Sequence, residues 1–206
     1  MDQQARRDHW EEFYATHPEQ DLSWYESEPA LSLEMIRKCV RSLRDSIIDI
    51  GGGSSRLVDC LVADGYHAIT VLDICSRALK MARVRLGDKA HGVQWIESDV
   101  LGWNCTSRFD IWHDRATYHF LTEAKDRQAY AVLATRAIKK GGALIVANFA
   151  VDGPRSCSGL PTYQASAQMI ATDFGPSFAL EESRLHEHLT PRGNKQRFQI
   201  CLLRRG

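Results

Sequence analysis

An aspartate followed by three consecutive glycines is the feature of this chain that most directly indicates chemistry. Asp49 lies in an apolar run, Gly51, Gly52 and Gly53 follow it, and an amphipathic run comes next. This order predicts a strand, a glycine-rich turn and a helix. Because glycine has no Cβ, a ligand can lie directly against the backbone there. The free N–H groups at the start of the helix favour a negative or polar group, so the segment predicts a site for a nucleotide-like cofactor.

Two further aspartates follow apolar runs later in the chain. Asp73 ends the second run, roughly 20 residues after the glycines, which is the spacing expected of a carboxylate that binds a ribose diol. Asp99 follows the third run. An isolated aspartate at such a place often caps a turn or a helix. Three acids at the ends of successive strands favour one ligand site instead.

The spacing of the glycines distinguishes between cofactors. A dinucleotide fingerprint needs a third glycine where this chain has Arg56, and no Gly-Lys-Ser/Thr of a phosphate-binding loop is present. The remaining candidate cofactor is S-adenosylmethionine (SAM). The segment from Asp49 to Ser55 resembles the first motif of the class I SAM-dependent methyltransferases, which is an apolar strand, an acid and Gly-x-Gly. Ser55 stands where that family usually has another glycine.

The resemblance implies roles for the residues around these acids. Asp73 and the adjacent Ile74 would contact the ribose. Asp99 would accept a hydrogen bond from the adenine amino group, and the amide of Val100 would meet a ring nitrogen. Asp49 and the three glycines would hold the rest of the cofactor.

The segment before the first strand is unusually aromatic. The runs 9–14 and 23–26 resemble the opening of a methyltransferase subset that includes many bacterial proteins and the lysine methyltransferases of elongation factor 1A. That resemblance implies that Trp10, Tyr14 and Trp24 contact SAM. We therefore expect one domain, in which residues 1–45 form a helical lid segment over a core of residues 46–206. Packing of the aromatic residues on the core is the alternative explanation.

Polar residues follow the fourth apolar run, where an acceptor would arrive. His113, Asp114, Tyr118 and His119 are candidates for orienting or deprotonating a nucleophile, and His113 is also a candidate cofactor contact. Asp114 is equally suited to cap the next helix, and His119 to lie on its packed face. Arg115 replaces a lysine of the related enzymes, and its planar guanidinium suits the carboxylate of SAM or an anionic acceptor.

Histidine and cysteine side chains in the C-terminal third leave several interpretations open. Cys157 lies in a loop rich in turn residues and is either a reactive thiol or a packing residue. His186 and His188 alternate on a predicted strand and so share one face. No third ligand accompanies them, so we assign no metal and expect exposed histidines.

Composition excludes several classes of protein. The chain has 206 residues, and Lys plus Arg and Asp plus Glu each total 26, so no global charge attracts nucleic acid. No apolar stretch approaches the length of a membrane span, and the polar N-terminus does not begin a signal peptide. None of the six cysteines forms a Cys-x-x-Cys pair. These features favour the reducing cytoplasm, and they leave the oligomeric state open.

Apolar strand-like runs alternate with helical runs, which predicts an α/β fold with helices on both faces of a sheet. The expected fold is Rossmann-like, with seven mostly parallel strands and an antiparallel C-terminal strand. The predicted strands are 46–50, 68–73, 93–97, 109–113, 143–149, 178–187 and 196–204, and the predicted helices are 3–17, 29–43, 55–64, 76–86, 117–138 and 163–173.

Together these features favour a SAM-dependent methyltransferase that transfers a methyl group to sulfur, nitrogen or oxygen of a small molecule by in-line displacement. Two alternatives stay open. A protein-lysine methyltransferase fits the N-terminal resemblance, and a non-catalytic SAM-binding module fits the glycine loop alone. The polar run 113–119 favours an enzyme.

Overall fold

The computed structural model describes residues 1–206 as a seven-stranded sheet with helices packed on both faces. The strands are β1 (Ile47–Ile50), β2 (Ile69–Asp73), β3 (Val93–Glu97), β4 (Phe109–Arg115), β5 (Ile138–Phe149), β6 (Ser156–Cys157), β7 (Leu160–Pro161), β8 (Phe178–Leu189) and β9 (Lys195–Arg205). The helices are α1 (Gln3–Thr16), α2 (Ala30–Cys39), α3 (Leu57–Ala63), α4 (Ser76–Leu86), α5 (Ala124–Ala137) and α6 (Ala167–Phe174).

The strand order is β3-β2-β1-β4-β5-β9-β8. Strands β1 to β5 pair in parallel, and β9 runs antiparallel to both of its neighbours, β5 and β8. The predicted fold class, including the antiparallel C-terminal strand, is confirmed. Helices connect β1 to β2 and β4 to β5, and each helix returns the chain so that the next strand runs in the same direction. The carboxyl ends of these parallel strands therefore lie at one edge of the sheet.

Burial on both faces explains the uninterrupted apolar strands. Every residue of β1 and β2 is buried, and alternate side chains enter two separate cores of 23 buried residues each. Helices α2, α3 and α4 cover the core that contains Ile47 and Val71. Helices α5 and α6 cover the core that contains Ile48 and Leu72.

The N-terminal segment packs across the end of the sheet. A small cluster joins Tyr14 and Leu22 to Cys75 and Ala78 at the start of α4, with Trp10 packed against it. The aromatic residues therefore fix α1 against the core. Part of their surface faces the space between α1 and the end of the sheet. No helix of the chain has the length and apolarity needed to cross a bilayer.

The chain after β4 differs from the predicted helix 117–138. A short 3-10 turn, Tyr118–Phe120, comes first, and α5 begins only at Ala124. The carbonyls of Leu121 and Thr122 accept hydrogen bonds from Arg127 Nη1 at 3.0 and 2.9 Å. This side chain takes the place of helical amides, so a turn replaces the first part of the helix. The short hairpin of β6 and β7 is a further element that the sequence pattern did not predict.

Candidate active site

A cleft lies at the carboxyl ends of β1, β2 and β4 and is covered by α1. It contains about 1030 Å³ of open space, its mouth included. One end is formed by residues after β2 and β3, and the other by residues from the β5 to β9 side of the sheet. The predicted site residues that line it are Trp10, Tyr14, Trp24, Gly51, Asp73, Ile74, Asp99, Val100, Arg115 and His119.

The glycine loop leaves no room for side chains. Gly51 has φ +63°, and a Cβ there would lie 1.8 Å from the hydroxyl oxygen of Thr117. A Cβ on Gly52 would lie 2.6 Å from Asp49 Oδ2. The amide of Gly51 donates to the carbonyl of Leu72 at 2.7 Å, which holds the loop against β2. The backbone is therefore fixed at the cleft floor, as a closely approaching adenosyl group requires.

Asp73 places a buried carboxylate beside this loop. Its Oδ1 accepts from the amide of Cys75 at 2.8 Å, while Oδ2 lies next to Gly53. Burial, reinforced by the charge of Asp49, raises the pKa of Asp73 to about 7. Burial and the Asp73 charge also raise the pKa of Tyr14, so the phenol stays protonated. This pair offers an acceptor and a donor at one point of the cleft.

Asp99 is paired with an arginine that the sequence analysis did not select. Arg6 Nε and Nη2 donate to Asp99 Oδ2 at 2.8 and 2.6 Å, and the amide of Leu101 donates to Oδ1 at 2.9 Å. Arg6 also lines the cleft. Arg6 lies in a polar N-terminal run, 93 positions before Asp99 in the chain. No local sequence pattern indicates a contact over that separation.

Asp49 and His113 lie below the loop and do not line the cleft. The two residues are register partners on β1 and β4, and His113 Nδ1 is 2.7 Å from Asp49 Oδ1. The other ring nitrogen is 2.9 Å from the hydroxyl of Ser32 on α2. His113 thus links two strands to a helix. Gly52 and Gly53 are likewise outside the cleft lining.

Asp114 and Tyr118 point into the core that α5 covers. Asp114 Oδ1 accepts from the amides of Thr117 and Tyr118 at 3.0 and 3.1 Å, and its Oδ2 accepts from the hydroxyl of Tyr130. Burial raises the pKa of Asp114 to about 6 despite these bonds. The hydroxyl of Tyr118 donates to Asp173 at 2.7 Å. Neither side chain lines the cleft. Asp114 instead caps the turn after β4, and Tyr118 packs in the core.

His119 is the predicted catalytic candidate that does reach the cleft. Its ring stacks on Phe149 with centroids 4.4 Å apart, and Phe120 lies edge-on at 4.2 Å. The side chain is fully buried, and neither ring nitrogen has a hydrogen-bond partner. Burial, with a smaller contribution from Arg115, lowers the pKa of His119 to about 3. The imidazole is therefore neutral and has one free acceptor nitrogen and one free donor nitrogen.

Arg115 is held by the segment between α1 and α2. Its Nη1 donates to the carbonyl of Trp24 at 3.0 Å, and its Nη2 donates to Glu26 Oε1 at 3.1 Å. Burial lowers the pKa of Arg115, although the charges of Glu26 and Asp49 oppose that shift. Glu26 is therefore the carboxylate that contacts the guanidinium at the end of β4.

Cys157, His186 and His188 lie on the same side of the molecule. Cys157 lines the cleft, and burial raises the pKa of its thiol, which disfavours a reactive thiolate. His186 is half-buried, but His188 is only 4% exposed. The expectation of two exposed histidines is therefore wrong for His188, because the N-terminal segment folds over its strand.

Comparisons with known proteins agree with this geometry. Residues 47–142 match a family model described as a methyltransferase domain. No curated protein sequence matches the chain. A structure described for the conversion of a disulfide bond into a thioacetal group during echinomycin biosynthesis has 19% identity and a TM-score of 0.76, covering 97% of this chain and 92% of that one.

Two other solved structures are similar. A SAM-dependent methyltransferase from Anabaena variabilis has 13% identity and a TM-score of 0.76, covering 98% of this chain and 95% of its own. The N-methyltransferase NodS from Bradyrhizobium japonicum, in complex with S-adenosylhomocysteine (SAH), has 14% identity and a TM-score of 0.66, covering 87% and 89%. At these identities the similarity establishes a common fold.

The matched methyltransferase domain contains the glycine loop, and the fold of the chain is the one that the solved SAM-dependent methyltransferases share. The chain is therefore a transferase whose cofactor is SAM, and the predicted enzyme class and cofactor are confirmed. The floor formed by Gly51 and the buried acceptor of Asp73 fit an adenosyl group. The comparisons give no support to the finer resemblance to the elongation factor 1A lysine methyltransferases.

Proposed function

We propose that this enzyme methylates a sulfur, nitrogen or oxygen atom of a small, uncharged molecule. The observation that carries the proposal is His119, a buried neutral imidazole with two unpartnered ring nitrogens on the wall of the cleft. A buried polar group without a partner costs free energy. A bound acceptor that exchanges a hydrogen bond with His119 removes that cost.

The cofactor would occupy the end of the cleft above β1, β2 and β3. Asp73 would accept both ribose hydroxyls, because a carboxylate has acceptor sites for a vicinal diol, and Ile74 lies beside it. Asp99 and Val100 would face the adenine. Trp10 and Trp24 come from the lid segment and would exclude water from the sulfonium.

The acceptor would occupy the opposite end, on the side of β5 and β9. Phe149, Phe198, Cys157 and His119 line this part. Arg115 also lines the cleft, and its guanidinium already has Glu26 and the carbonyl of Trp24 as partners. An uncharged acceptor therefore binds there without an unpaired charge.

SAM supplies an activated methyl group on a positively charged sulfur. The acceptor atom forms a bond to the methyl carbon while the carbon–sulfur bond breaks, and the electron pair of that bond remains on sulfur. Alignment of the two reactants contributes about 7–11 kcal/mol in well-ordered systems. His119 would orient the acceptor by accepting its N–H, O–H or S–H proton in a hydrogen bond. The displaced proton passes to solvent once the new bond has formed, because the pKa of His119, about 3, does not let the imidazole keep it.

Labelled SAM distinguishes the three possible functions. The protein is incubated with methyl-labelled SAM and a cell extract, and small molecules are then separated from macromolecules. We expect label in the small-molecule fraction. Label in one protein band would instead establish a protein methyltransferase and overturn the proposal. Tight SAH binding without transfer to either fraction would favour the non-catalytic module.

A substitution tests the role of His119 directly. His119→Phe keeps an aromatic ring between Phe149 and Phe120 and removes the hydrogen-bonding nitrogens. We expect unchanged SAH affinity and at least a tenfold loss of transfer, from the loss of one hydrogen bond worth about 1.5 kcal/mol. His67→Phe, on the surface outside the cleft, is the control. Full transfer by His119→Phe would remove the observation on which the proposal depends.

A further inference from the structure

The guanidinium of Arg85 contacts the backbone at the end of the glycine loop. Arg85 belongs to the last turn of α4, does not line the cleft, and has a side chain that is 15% exposed. Nη1 donates to the carbonyl of Ser54 at 2.9 Å, and Nη2 donates to the carbonyl of Ser55 at 2.8 Å. These two residues follow directly after Gly53. One side chain therefore fixes the part of the loop that leads into α3.

All five N–H groups of this guanidinium have a partner. Nε and Nη2 donate to the two carboxylate oxygens of Asp59 on α3, at 2.9 and 2.6 Å. Nη1 is also 3.3 Å from each carboxylate oxygen of Glu19, in the segment between α1 and α2. Arginine presents five donors in one plane, whereas the lysine ammonium has its three donors at a single point. A lysine at position 85 therefore cannot keep this set of contacts.

The two carboxylates balance the charge of the half-buried guanidinium. Burial favours a lower pKa for Arg85, but the hydrogen bonds and the charges of Asp59 and Glu19 outweigh it and raise that pKa. The side chain is permanently charged, and every donor is already used within the protein. It acts on the loop and on no ligand.

The two ends of the glycine loop are held in different ways. The amides of the first two glycines donate to the carbonyl of Leu72 at 2.7 and 3.2 Å, so β2 holds the start of the loop. Arg85 holds its end. Between these anchors, Gly53 has φ +48°, and its amide donates to the carboxylate of Asp73. The position of that amide therefore depends on both anchors.

We infer that Arg85 is a positioning residue for SAM, because its contacts with the carbonyls of Ser54 and Ser55 set the shape of the glycine loop. Without them the end of the loop moves, and the Asp73 carboxylate loses the amide of Gly53. Cofactor affinity then falls although no group that contacts the cofactor has been removed. The inference rests on the ribose contact of Asp73 in the proposed function, and it does not depend on the acceptor.

Titration of Arg85→Lys with SAH tests the inference without an acceptor. The variant keeps a positive charge beside Asp59 and loses the paired contacts with the two loop carbonyls. We expect about a tenfold higher dissociation constant, as for the loss of a hydrogen bond from a charged group. Arg83→Lys, at an exposed position on the same helix, is the control and should match wild type. Wild-type affinity of Arg85→Lys would overturn the inference.

Rescue by guanidinium separates positioning from a merely structural role. Arg85→Ala leaves space for a guanidinium ion between Asp59 and the loop carbonyls. SAH is titrated in guanidinium chloride far below denaturing concentrations and in sodium chloride at the same concentration. We expect the affinity lost in sodium chloride to recover in guanidinium, because the ion again donates to both carbonyls. Guanidinium otherwise weakens folded proteins, so recovery is not a general effect of the salt.

Equal SAH affinities in the two salts would show that the loop does not need these donors and would overturn the inference. If Arg85→Ala does not fold, Arg85→Lys decides the question by its affinity. Label found in protein would end the small-molecule assignment but leave both SAH titrations unaffected. Wild-type SAH affinity of Asp73→Asn would instead end the proposed ribose contact, whatever Arg85→Lys shows.

Discussion

Arg6 and Asp99 form an ion pair across the mouth of the cofactor cleft, with Nη2 2.6 Å from Oδ2. The arginine belongs to α1, and the aspartate follows β3. One carboxylate therefore attaches α1 to the core, and it is also the group that we propose to bind the adenine amino group. Each carboxylate oxygen accepts more than one hydrogen bond, so Arg6 and adenine are compatible partners of Asp99.

Replacement of Arg6 should weaken cofactor binding. Arg6→Ala removes the two bonds that orient Asp99, and we expect about a tenfold higher dissociation constant for SAH, which corresponds to about 1.4 kcal/mol. Arg7→Ala is the matched control. Arg7 pairs with Glu97, whose side chain is 46% exposed, and exposed ion pairs contribute about 0–1 kcal/mol. Calorimetric titration of both variants measures the difference, and equal affinities would refute the role of Arg6.

Cofactor affinity should depend on the protonation of Asp73. In the free protein, burial and then the charge of Asp49 raise its pKa to about 7, and two diol hydrogen bonds favour the ionised form. SAH affinity should therefore rise as the pH increases to 7 and fall about tenfold for each pH unit below it. Asp73→Asn should bind weakly at every pH. Titrations between pH 5.5 and 8.5 test this, and a pH-independent wild type would contradict it.

The raised pKa of Asp73 also affects the folding stability of the free protein, and there a higher pH is unfavourable. The folded state binds the Asp73 proton more tightly than the unfolded state, so folding stability decreases as the pH rises from about 4 toward 7. Asp114, whose pKa burial raises to about 6, contributes in the same direction. Urea unfolding without ligand at pH 5 and pH 7 should show this decrease, and Asp73→Asn should reduce it.

Gly51→Ala should abolish cofactor binding. The added Cβ meets the side chain of Thr117 at 1.8 Å, at a residue with φ +63°. Gly87→Ala is the control, because Gly87 has φ +58° and nothing within 4 Å of an added Cβ. The control isolates backbone strain of about 1–3 kcal/mol. We expect it to lower the melting temperature and leave SAH affinity unchanged. Normal binding by Gly51→Ala would show that the loop can shift.

Replacement of His113 should lower the free energy of unfolding. His113→Leu retains volume but leaves the Asp49 carboxylate buried without its partner, which costs about 3 kcal/mol. Ser32→Ala removes only the second bond of His113 and should cost about 1 kcal/mol. Urea unfolding measures both variants. Equal effects of the two would mean that the contact between His113 and Asp49 contributes little.

Local sequence signals predicted the fold because they reflect local physics. Apolar runs such as 143–149 must lie in a sheet buried on both faces, and the turn around Gly51 needs backbone angles that glycine adopts freely. The positions of Asp73 and Asp99 at one edge followed from the parallel connections. The helix predicted at 117–138 failed at its start, because Arg127 binds the carbonyls of Leu121 and Thr122.

The sequence alone thus determined the order of the seven main strands, the cofactor class and the edge of the sheet where their carboxyl ends meet. Only the tertiary structure decided which polar side chains face the cleft. His113, Asp114 and His119 lie within one short segment, yet only His119 lines the cavity. The partnerships of Arg6 with Asp99 and of Glu26 with His188 join residues far apart in the chain. Such contacts depend on how whole elements pack, and no periodicity or motif encodes them.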